Sequence, residues 1–291
     1  LYIGNNPSST SDNASYNVAV GTTALDAITT GDNNSALGYD ALTANTSGYE
    51  NTASGVESLY NNTSGRSNTA MGYRSLRANT TGDYNTASGV ESMYSNTTGQ
   101  FNSAFGLKSL RNNTTASYNT AIGDQALYNA NRTADANAYN TALGYNAGNT
   151  GTNNITTGDK NVFVGAGTAA SQAAASNQIV IGYGATGAAD NTVQLGNTSI
   201  TNVKTSGTIT AGAITIPNTD GTANQVLKTD GSGTLAWSTP ASSVREVADE
   251  ETATSSQTSF TLTQTPSTNS KVKMYINGIR ISNTAYSISG A

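Results

Sequence analysis

The side chains that most often carry enzyme chemistry are missing or scattered in this chain. It contains no cysteine and no histidine, and only 11% of its 291 residues are charged. Thiolate nucleophiles, imidazole bases, disulfides and the usual zinc ligand sets are therefore excluded. Glycoside hydrolysis would need two carboxylates that face each other in a cleft, but the acidic residues are spread along the chain at Asp40, Glu50, Glu57, Glu91 and Asp124. We expect these carboxylates to be solvated and the protein not to be an enzyme.

Glycine clusters are the second feature that could indicate chemistry, because glycine-rich loops can cradle phosphates. They occur at Gly165-Ala166-Gly167 and between Gly182 and Gly187. A phosphate cradle requires a strand, the loop and the N-terminus of a helix, whereas these glycines continue a regular spacing described below. The net charge of −5 also argues against binding of nucleic acid, for which a basic stripe is expected. We therefore expect no catalytic, cofactor or metal site and no nucleic-acid partner.

Tyrosines and arginines at the variable positions of the chain are suited to weak binding of a receptor. Tyrosine offers a rigid, amphipathic contact at low entropic cost. The candidate receptor contacts are Tyr39, Tyr60, Tyr73, Arg74, Arg77, Tyr94 and Tyr128. The alternative hypothesis is that these tyrosines only cover neighbouring parts of the fold.

The elements that position these side chains follow from a repeat of 17 residues. The motif Asn-Thr-Ala-x-Gly and variants of it place glycines without a slip at Gly21, Gly38, Gly55, Gly72, Gly89, Gly106 and Gly123, and the glycine series continues after insertions and one shortening at Gly144, Gly165, Gly182 and Gly196. Repetition at a fixed period indicates stacked coils, each of which buries its apolar face only against its neighbours. A short Thr-Ala-x strand in each coil, at roughly 4.8 Å per coil, predicts an all-β roll about 55 Å long.

Three ladders of like residues are expected to run along this roll. An apolar ladder that includes Leu59, Leu76 and Leu110 is assigned to the core, and the residue before each of its members is always small. Two glycines per coil, represented by Gly55 and Gly65, require either an unusual backbone conformation or a close approach that a side chain would block. Stacked asparagines are expected to form amide ladders at the strand ends; they are Asn34, Asn51, Asn68, Asn85, Asn102 and Asn119.

Several of these motifs resemble those of a known family. The segments Asn17-Val18-Ala19-Val20-Gly21, Val162-Phe163-Val164-Gly165 and Ile179-Val180-Ile181-Gly182 are similar to the Ser-Val-Ala-Ile-Gly motif of trimeric autotransporter adhesin heads, and the regular 17-residue version resembles repeats of bacteriophage tail fibres. The resemblance covers roughly residues 1–200 and implies a left-handed parallel β-roll that assembles as a parallel homotrimer. The family's coil is usually shorter, and here the bulky strand position alternates between serine and residues such as Met71 and Phe105.

The remainder of the chain departs from the repeat. We assign residues 1–196 to the β-roll, 197–240 to a β neck and small β module, 241–257 to a linker or short helix, and 258–291 to the start of a C-terminal β-domain that is truncated here. Strands over Asn197–Val203, Thr208–Thr210 and Ala213–Ile216 are expected to form the neck. The module at 221–237 resembles one of phage tail fibres, with two strands around an Asp-Gly-Ser-Gly turn and Trp237 as the plug of a small core. The Asn277-Gly278 pair predicts a hairpin, because a type I′ turn needs two positive φ angles.

These observations lead to one functional expectation and two alternatives. A trimeric fibre shaft or adhesin head, most simply a phage tail fibre, would attach to a glycan or protein receptor on a host surface and contact other fibre or baseplate proteins. Its location would be the virion or the cell surface, and no apolar run approaches the length of a membrane span. The alternatives are a cell-anchored bacterial adhesin of the autotransporter type and an ice-binding solenoid, for which the outward Thr52, Thr69, Thr86, Thr120 and Thr141 would form a regular array. We also expect the chain to be part of a longer polypeptide.

Overall fold

The computed structural model describes residues 2–3, 14–132, 137–151, 153–204, 206, 221–229 and 235–240, with positions 252, 254, 257, 275–276 and 279–280. Within these residues the protein is all-β, without a helix. The chain divides into two units, Leu1–Lys204 and Thr205–Ala291. The strands are β1 Tyr2–Ile3, β2 Val18–Val20, β3 Ser35–Leu37, β4 Thr52–Ser54, β5 Thr69–Met71, β6 Thr86–Ser88, β7 Ser103–Phe105, β8 Thr120–Ile122, β9 Thr141–Leu143, β10 Val162–Val164, β11 Ile179–Ile181, β12 Val193–Leu195, β13 Val226–Thr229, β14 Leu235–Ser238, β15 Tyr275–Ile276 and β16 Ile279–Arg280.

The first unit is a parallel β-solenoid, as the 17-residue repeat predicts. Strands β1 to β12 form one sheet in sequence order, so each coil contributes one strand. The register is that of the repeat: Ala53 of β4 pairs with Ala70 of β5, and Ala70 pairs with Ala87 of β6. The longer coil before β10 keeps the same alignment, with Ala142 opposite Phe163. Insertions are therefore accommodated outside the strands, and the glycine series marks the coils throughout.

The core of the solenoid is the predicted apolar ladder. Its side chains are completely buried at Leu25, Leu42, Leu59, Leu76, Met93, Leu110 and Leu127. The small residues before them, such as Ser58 and Ser75, are also fully buried and leave room for the adjoining strand alanines. Burial of each leucine stabilises the fold by about 1.5–3 kcal/mol. The ladder residues have left-handed φ angles, for example +49° at Leu76, which costs about 1–2 kcal/mol each, and burial of the side chain offsets that cost.

The two glycines of each coil are required for different reasons. Gly72, which closes a strand, has φ of +123°, and a Cβ there would lie 2.7 Å from the carbonyl oxygen of Gly89. Gly65, in the second turn, has no such φ, but a Cβ there would lie 2.5 Å from Oδ1 of Asn62 and 2.6 Å from the Gly82 carbonyl oxygen. The first position therefore needs both left-handed backbone and space, whereas the second needs only space.

Two asparagine ladders run through the interior, of which the sequence predicts the first. In that ladder Nδ2 of Asn51 donates to Oδ1 of Asn34 at 3.1 Å and to the Gly65 carbonyl oxygen at 2.8 Å. The second ladder lies in the turn that precedes the second glycine, where Nδ2 of Asn62 donates to Oδ1 of Asn45 at 2.8 Å. Its members are Asn45, Asn62, Asn79, Asn96 and Asn113, and all are fully buried. Buried amides that satisfy one another in this way fix the register of the coils.

The second ladder has a defined end. Asn113 donates to Oδ1 of Asn96 at 2.8 Å, but the next coil has Ala130 at the corresponding turn position. Oδ1 of Asn113 consequently has no hydrogen-bond partner among the residues that the structure describes. Amide pairing in this column is therefore confined to five consecutive coils.

The second unit contains two separate strand pairs. Strands β13 and β14 are antiparallel, with Leu227 opposite Trp237, as the tail-fibre-like module predicts. Gly221 packs against the Trp237 ring, since a Cβ there would lie 2.6 Å from a ring carbon. Strands β15 and β16 are also antiparallel, which confirms the expected hairpin around Asn277-Gly278.

The remaining expectations for the chain after the solenoid are either wrong or concern residues outside the described part. Asn197–Val203, expected as part of the β neck, forms a turn and irregular chain without a strand. Two hydrogen bonds of Asn197 account for part of the missing strand. Its Nδ2 donates to the Tyr183 carbonyl oxygen, and its Oδ1 accepts from the Ser199 amide. The other neck strands, at 208–210 and 213–216, lie outside the described residues. So do the strand expected at 259–263 and, apart from three positions, the linker at 241–257.

Candidate functional site

The outward side chains of the solenoid strands form an exposed apolar surface, which we call the strand face. In strands β2 to β11 the middle residue is buried in the core, and the first and third residues point outward. Large apolar residues are 40–61% exposed there; they are Val18, Leu37, Met71, Phe105, Ile122, Leu143, Ile181, Val193 and Leu195. Ser54 and Ser88 alternate with Met71 and Phe105, so the face is ridged between β4 and β7. Large apolar side chains exposed along one surface in this way are typical of an interaction site.

Arginine and tyrosine alternate along a second surface, at the residue after the core-ladder side chain in five consecutive coils. We call this line, which consists of Tyr60, Arg77, Tyr94, Arg111 and Tyr128, the arginine–tyrosine column. The Arg77 guanidinium carbon lies 4.9 Å from the Tyr60 ring centroid and 5.8 Å from that of Tyr94, and Arg111 bridges Tyr94 and Tyr128 at 5.0 and 5.9 Å. These are cation–π distances. The tyrosine faces in the column are therefore occupied by guanidinium groups from neighbouring coils.

The seven predicted receptor contacts are divided between two surroundings. Tyr39 and Tyr73 follow the strand-closing glycines and are 53% and 40% exposed. Arg74 is half-buried and lies over the ring of Tyr73, 4.7 Å from its centroid. The other four, Tyr60, Arg77, Tyr94 and Tyr128, belong to the half-buried arginine–tyrosine column. Only Tyr39 and Tyr73 thus present much free surface, while the column side chains cover adjacent coils.

Glu57 connects the two groups through ion pairs. Its Oε2 accepts from Nε of Arg74 at 2.9 Å and from Nε of Arg77 at 2.6 Å. Only 17% of the Glu57 side chain is exposed. Hydrogen bonds from Arg74 and then Arg77 hold the pKa of Glu57 below its usual value, against the opposing effect of burial. Glu91 and Arg111 repeat the arrangement at 2.9 Å.

The lowered pKa of Glu57 predicts a pH-dependent contribution to stability. A carboxyl whose pKa is lower in the folded state stabilises the protein above its unfolded pKa, and this contribution is lost as the pH falls through the folded pKa. We expect Glu57→Gln to lower the free energy of unfolding by about 1 kcal/mol near neutral pH, and this difference to vanish in acid. Urea unfolding at both pH values measures it. The control is Glu50→Gln at an exposed carboxylate bonded to Ser67; an equal effect of both changes would contradict the prediction.

A stack of four aromatic rings lies at the last position of four consecutive coils. The centroids of Tyr84, Phe101, Tyr118 and Tyr139 are separated by 4.9, 5.1 and 5.0 Å, with nearly parallel planes. The sequence does not predict this stack: its first three members follow the repeat, but the spacing does not show that their rings face one another. Since the rings face each other, the inner two have no face left for a ligand.

Several asparagines of the second ladder lie in sequence motifs for N-glycosylation. Asn45, Asn79, Asn96 and Asn113 begin Asn-x-Ser/Thr glycosylation motifs, yet each is completely buried. Glycans therefore cannot be attached at these positions in the folded solenoid. The motifs are explained by the turn, in which the amide joins the second ladder.

The described part of the chain offers neither a metal cluster nor a membrane-spanning helix. No group of three or more aspartate, glutamate, histidine or cysteine residues suited to a metal ion occurs there. The same residues include no helix long and apolar enough to cross a membrane. Comparison of the chain with protein-family models, curated proteins and solved structures finds no match.

Proposed function

We propose that this chain is a non-enzymatic subunit of a homotrimeric attachment fibre, whose solenoid forms a shaft or head that binds a host cell surface. The observation that carries the proposal is the strand face. Nine large apolar side chains, 40–61% exposed, lie on one side of the sheet between β2 and β12. Covering apolar surface contributes about 25 cal/mol per Å², so parallel copies that pack these faces around a common axis would be stabilised along their whole length.

The architecture suits a fibre in two further respects. Backbone groups pair with the coils above and below, for example Leu76 N with Ser92 O at 3.0 Å, which favours a stiff rod. A trimer would also present three copies of any weak receptor contact, so that avidity exceeds the single-site affinity. The proposed partners are further copies of this chain, other fibre or baseplate proteins, and a glycan or protein receptor. The proposed location is the virion or the outer surface of a cell.

Oligomeric state tests the proposal. We expect native mass spectrometry and light scattering to give a trimer for the intact chain, and the double variant Met71→Lys/Phe105→Lys to dissociate, because charges would then face each other across the strand faces. The matched control, Ser64→Lys/Thr98→Lys, adds the same charges two coils apart at exposed turn positions and should remain trimeric. A monomeric mass for the unaltered chain would overturn the trimer.

A cell-anchored adhesin of a bacterium is the alternative with the same architecture. Both kinds of protein would use the solenoid for reach and attachment, so the discriminating observation is genomic. Neighbouring tail genes would favour the phage fibre, whereas secretion genes or a following anchor domain would favour the adhesin.

An ice-binding solenoid is a second alternative, and one observation supports it. Thr52, Thr69 and Thr86 lie in parallel register on the outward side of consecutive strands. Bulky neighbours such as Met71 and Phe105 project from the same face, however, and a flat surface is needed to match ice. Thermal hysteresis measurements separate this function from attachment, because a fibre subunit should give none.

A further inference from the structure

We propose that the groove between Tyr145 and Tyr183, which we call the tyrosine groove, binds one β-gluco-configured pyranose ring stacked between the two phenol rings. The inference rests on the proposed attachment function and deepens it by naming a ligand chemistry. The groove has a volume of about 320 Å³ and is open to solvent. Tyr145 and Tyr183 are 55% and 80% exposed, which is unusual for aromatic side chains.

The spacing of the two tyrosines is set by the coil stack. Tyr145, Ala166 and Tyr183 occupy the same position, directly after the strand-closing glycine, in three consecutive coils. Backbone hydrogen bonds hold this order: Gly167 N donates to Tyr145 O at 2.8 Å, and Gly184 N donates to Ala166 O at 3.0 Å. Two coil spacings separate the tyrosine backbones by roughly 9.6 Å. Ala166 forms the floor between them and leaves the gap empty.

A second tyrosine pair in the same chain has the same spacing, but the gap between its two members is filled by side chains. Tyr39 and Tyr73 are also two coils apart, with equivalent hydrogen bonds from Glu57 N to Tyr39 O and from Arg74 N to Val56 O. There the intervening residue is Val56 rather than alanine, and the Arg74 guanidinium covers the Tyr73 ring. In the tyrosine groove, Ala166 lies where the other pair has Val56, and Gly184 lies where it has Arg74.

The backbone conformation does not require glycine at the two positions beside the groove. Gly167 and Gly184 have φ of +65° and +61°, but Glu57 and Arg74 hold similar left-handed angles at the same turn position. Packing does not demand them either, since a Cβ on Gly167 would have its nearest neighbour at 4.0 Å and one on Gly184 at 3.7 Å. Their effect is to leave the tyrosine groove free of side chains.

The dimensions and chemistry favour a sugar ring over a flat ligand. A planar ring in contact with both tyrosines would need them about 7–8 Å apart, because carbon atoms in contact lie about 3.5–4.0 Å apart. Rings that keep the two-coil backbone spacing of roughly 9.6 Å leave a wider gap, which a thicker, puckered pyranose ring fits. The faces of aromatic rings are negative and attract C–H groups, and Asn146 and Thr150 in the groove lining add amide and hydroxyl groups for the sugar hydroxyls.

Stacking on both sides selects the configuration of the sugar. In a β-gluco ring every hydroxyl is equatorial, so both faces present axial C–H bonds. In a β-galacto ring the C4 hydroxyl is axial and would face one tyrosine without a hydrogen-bond partner, which is unfavourable. The geometry therefore predicts discrimination between these two epimers.

Saturation-transfer NMR on the purified full chain tests the inference, with methyl β-D-glucopyranoside and methyl β-D-galactopyranoside as probes. We expect transfer to the ring protons of the glucoside and about tenfold weaker binding of the galactoside. Ala166→Val should abolish glucoside binding while both tyrosines remain, since valine occupies this position at Val56. Tyr183→Ala should do the same, and because the side chain is 80% exposed, its removal costs the fold little packing. The control variant Tyr16→Ala, at a tyrosine that is 85% exposed, should bind as the unaltered chain does.

The outcomes test the sugar site and the attachment function separately. Absence of glucoside binding, equal binding of both epimers, or binding that survives both Ala166→Val and Tyr183→Ala would overturn the tyrosine groove as a sugar site. If the chain nevertheless attaches to host cells, the attachment function stands without this site. Conversely, a glucoside-binding chain that attaches to no cell surface would retain the groove and refute the attachment function.

Discussion

Leu76→Asp is expected to lower the stability of the solenoid more than any other single substitution proposed for this chain. The Leu76 side chain is fully buried in the core ladder, and an unpaired carboxylate in such surroundings costs several kcal/mol. Truncation to alanine should cost about 2–5 kcal/mol. Because each coil is supported only by its neighbours, we expect the damage to be centred on the adjacent coils. Urea unfolding measures the loss, and hydrogen exchange locates it.

The control for this prediction is Leu107→Asp. Leu107 is 42% exposed, so a carboxylate introduced there keeps its contact with water. If Leu76→Asp unfolded at the same urea concentration as Leu107→Asp, the core assignment of the ladder would be wrong.

Asn62→Asp is the second change with a large expected effect, although it replaces only an amide by a carboxylate. Nδ2 of Asn62 donates to Oδ1 of Asn45 at 2.8 Å and to the Gly65 carbonyl oxygen at 2.9 Å. In the variant a carboxylate oxygen would face these two acceptors in a fully buried site. Loss of two buried hydrogen bonds, at about 1–3 kcal/mol each, predicts a destabilisation of roughly 2–6 kcal/mol.

The adjacent residue is a matched control, because Asn61 is also an asparagine but lies half-buried outside the ladder. Asn61→Asp adds the same charge one residue away and should change the melting temperature little. The effect of Asn62→Asp should also decrease in acid, where the new carboxyl becomes protonated and can donate again. Similar melting temperatures for the two variants near neutral pH would refute a structural role for the second ladder.

The coil architecture could be predicted because its determinants are local and repeated. The Thr-Ala-x strand, the closing glycine and the leucine ladder each recur at one spacing, so one correct assignment extends to all coils. The first amide ladder was predictable for the same reason. Asn51 directly precedes a strand, and its equivalents lie at the same offset.

Other features depend on which way a side chain turns, which spacing does not reveal. Asn61 and Asn62 are identical in type and adjacent, yet only Asn62 enters the second ladder. The left-handed φ of Leu76 was not expected either, since leucine normally avoids that region. It becomes favourable only because the turn directs the side chain into the core.

The candidate site was less predictable than the fold. The sequence predicts Tyr60 and Tyr94 as surface tyrosines, but their pairing with Arg77 requires knowledge that these residues form one column. It does not single out Tyr145 and Tyr183, because the sequence alone does not show that Ala166 lies between them. The comparison of that pair with Tyr39 and Tyr73 became meaningful only once the coils were stacked.

The direction of the backbone hydrogen bonds determines how the solenoid would respond to a pulling force. The sheet hydrogen bonds join one coil to the next and therefore lie along the long axis. Tension between the two ends loads these bonds directly, so coils would separate one at a time from the ends. Each released coil of 17 residues lengthens the chain from roughly 4.8 Å in the stack to about 60 Å when extended. The solenoid would thus be stiff at low load and more than tenfold extensible once its coils separate.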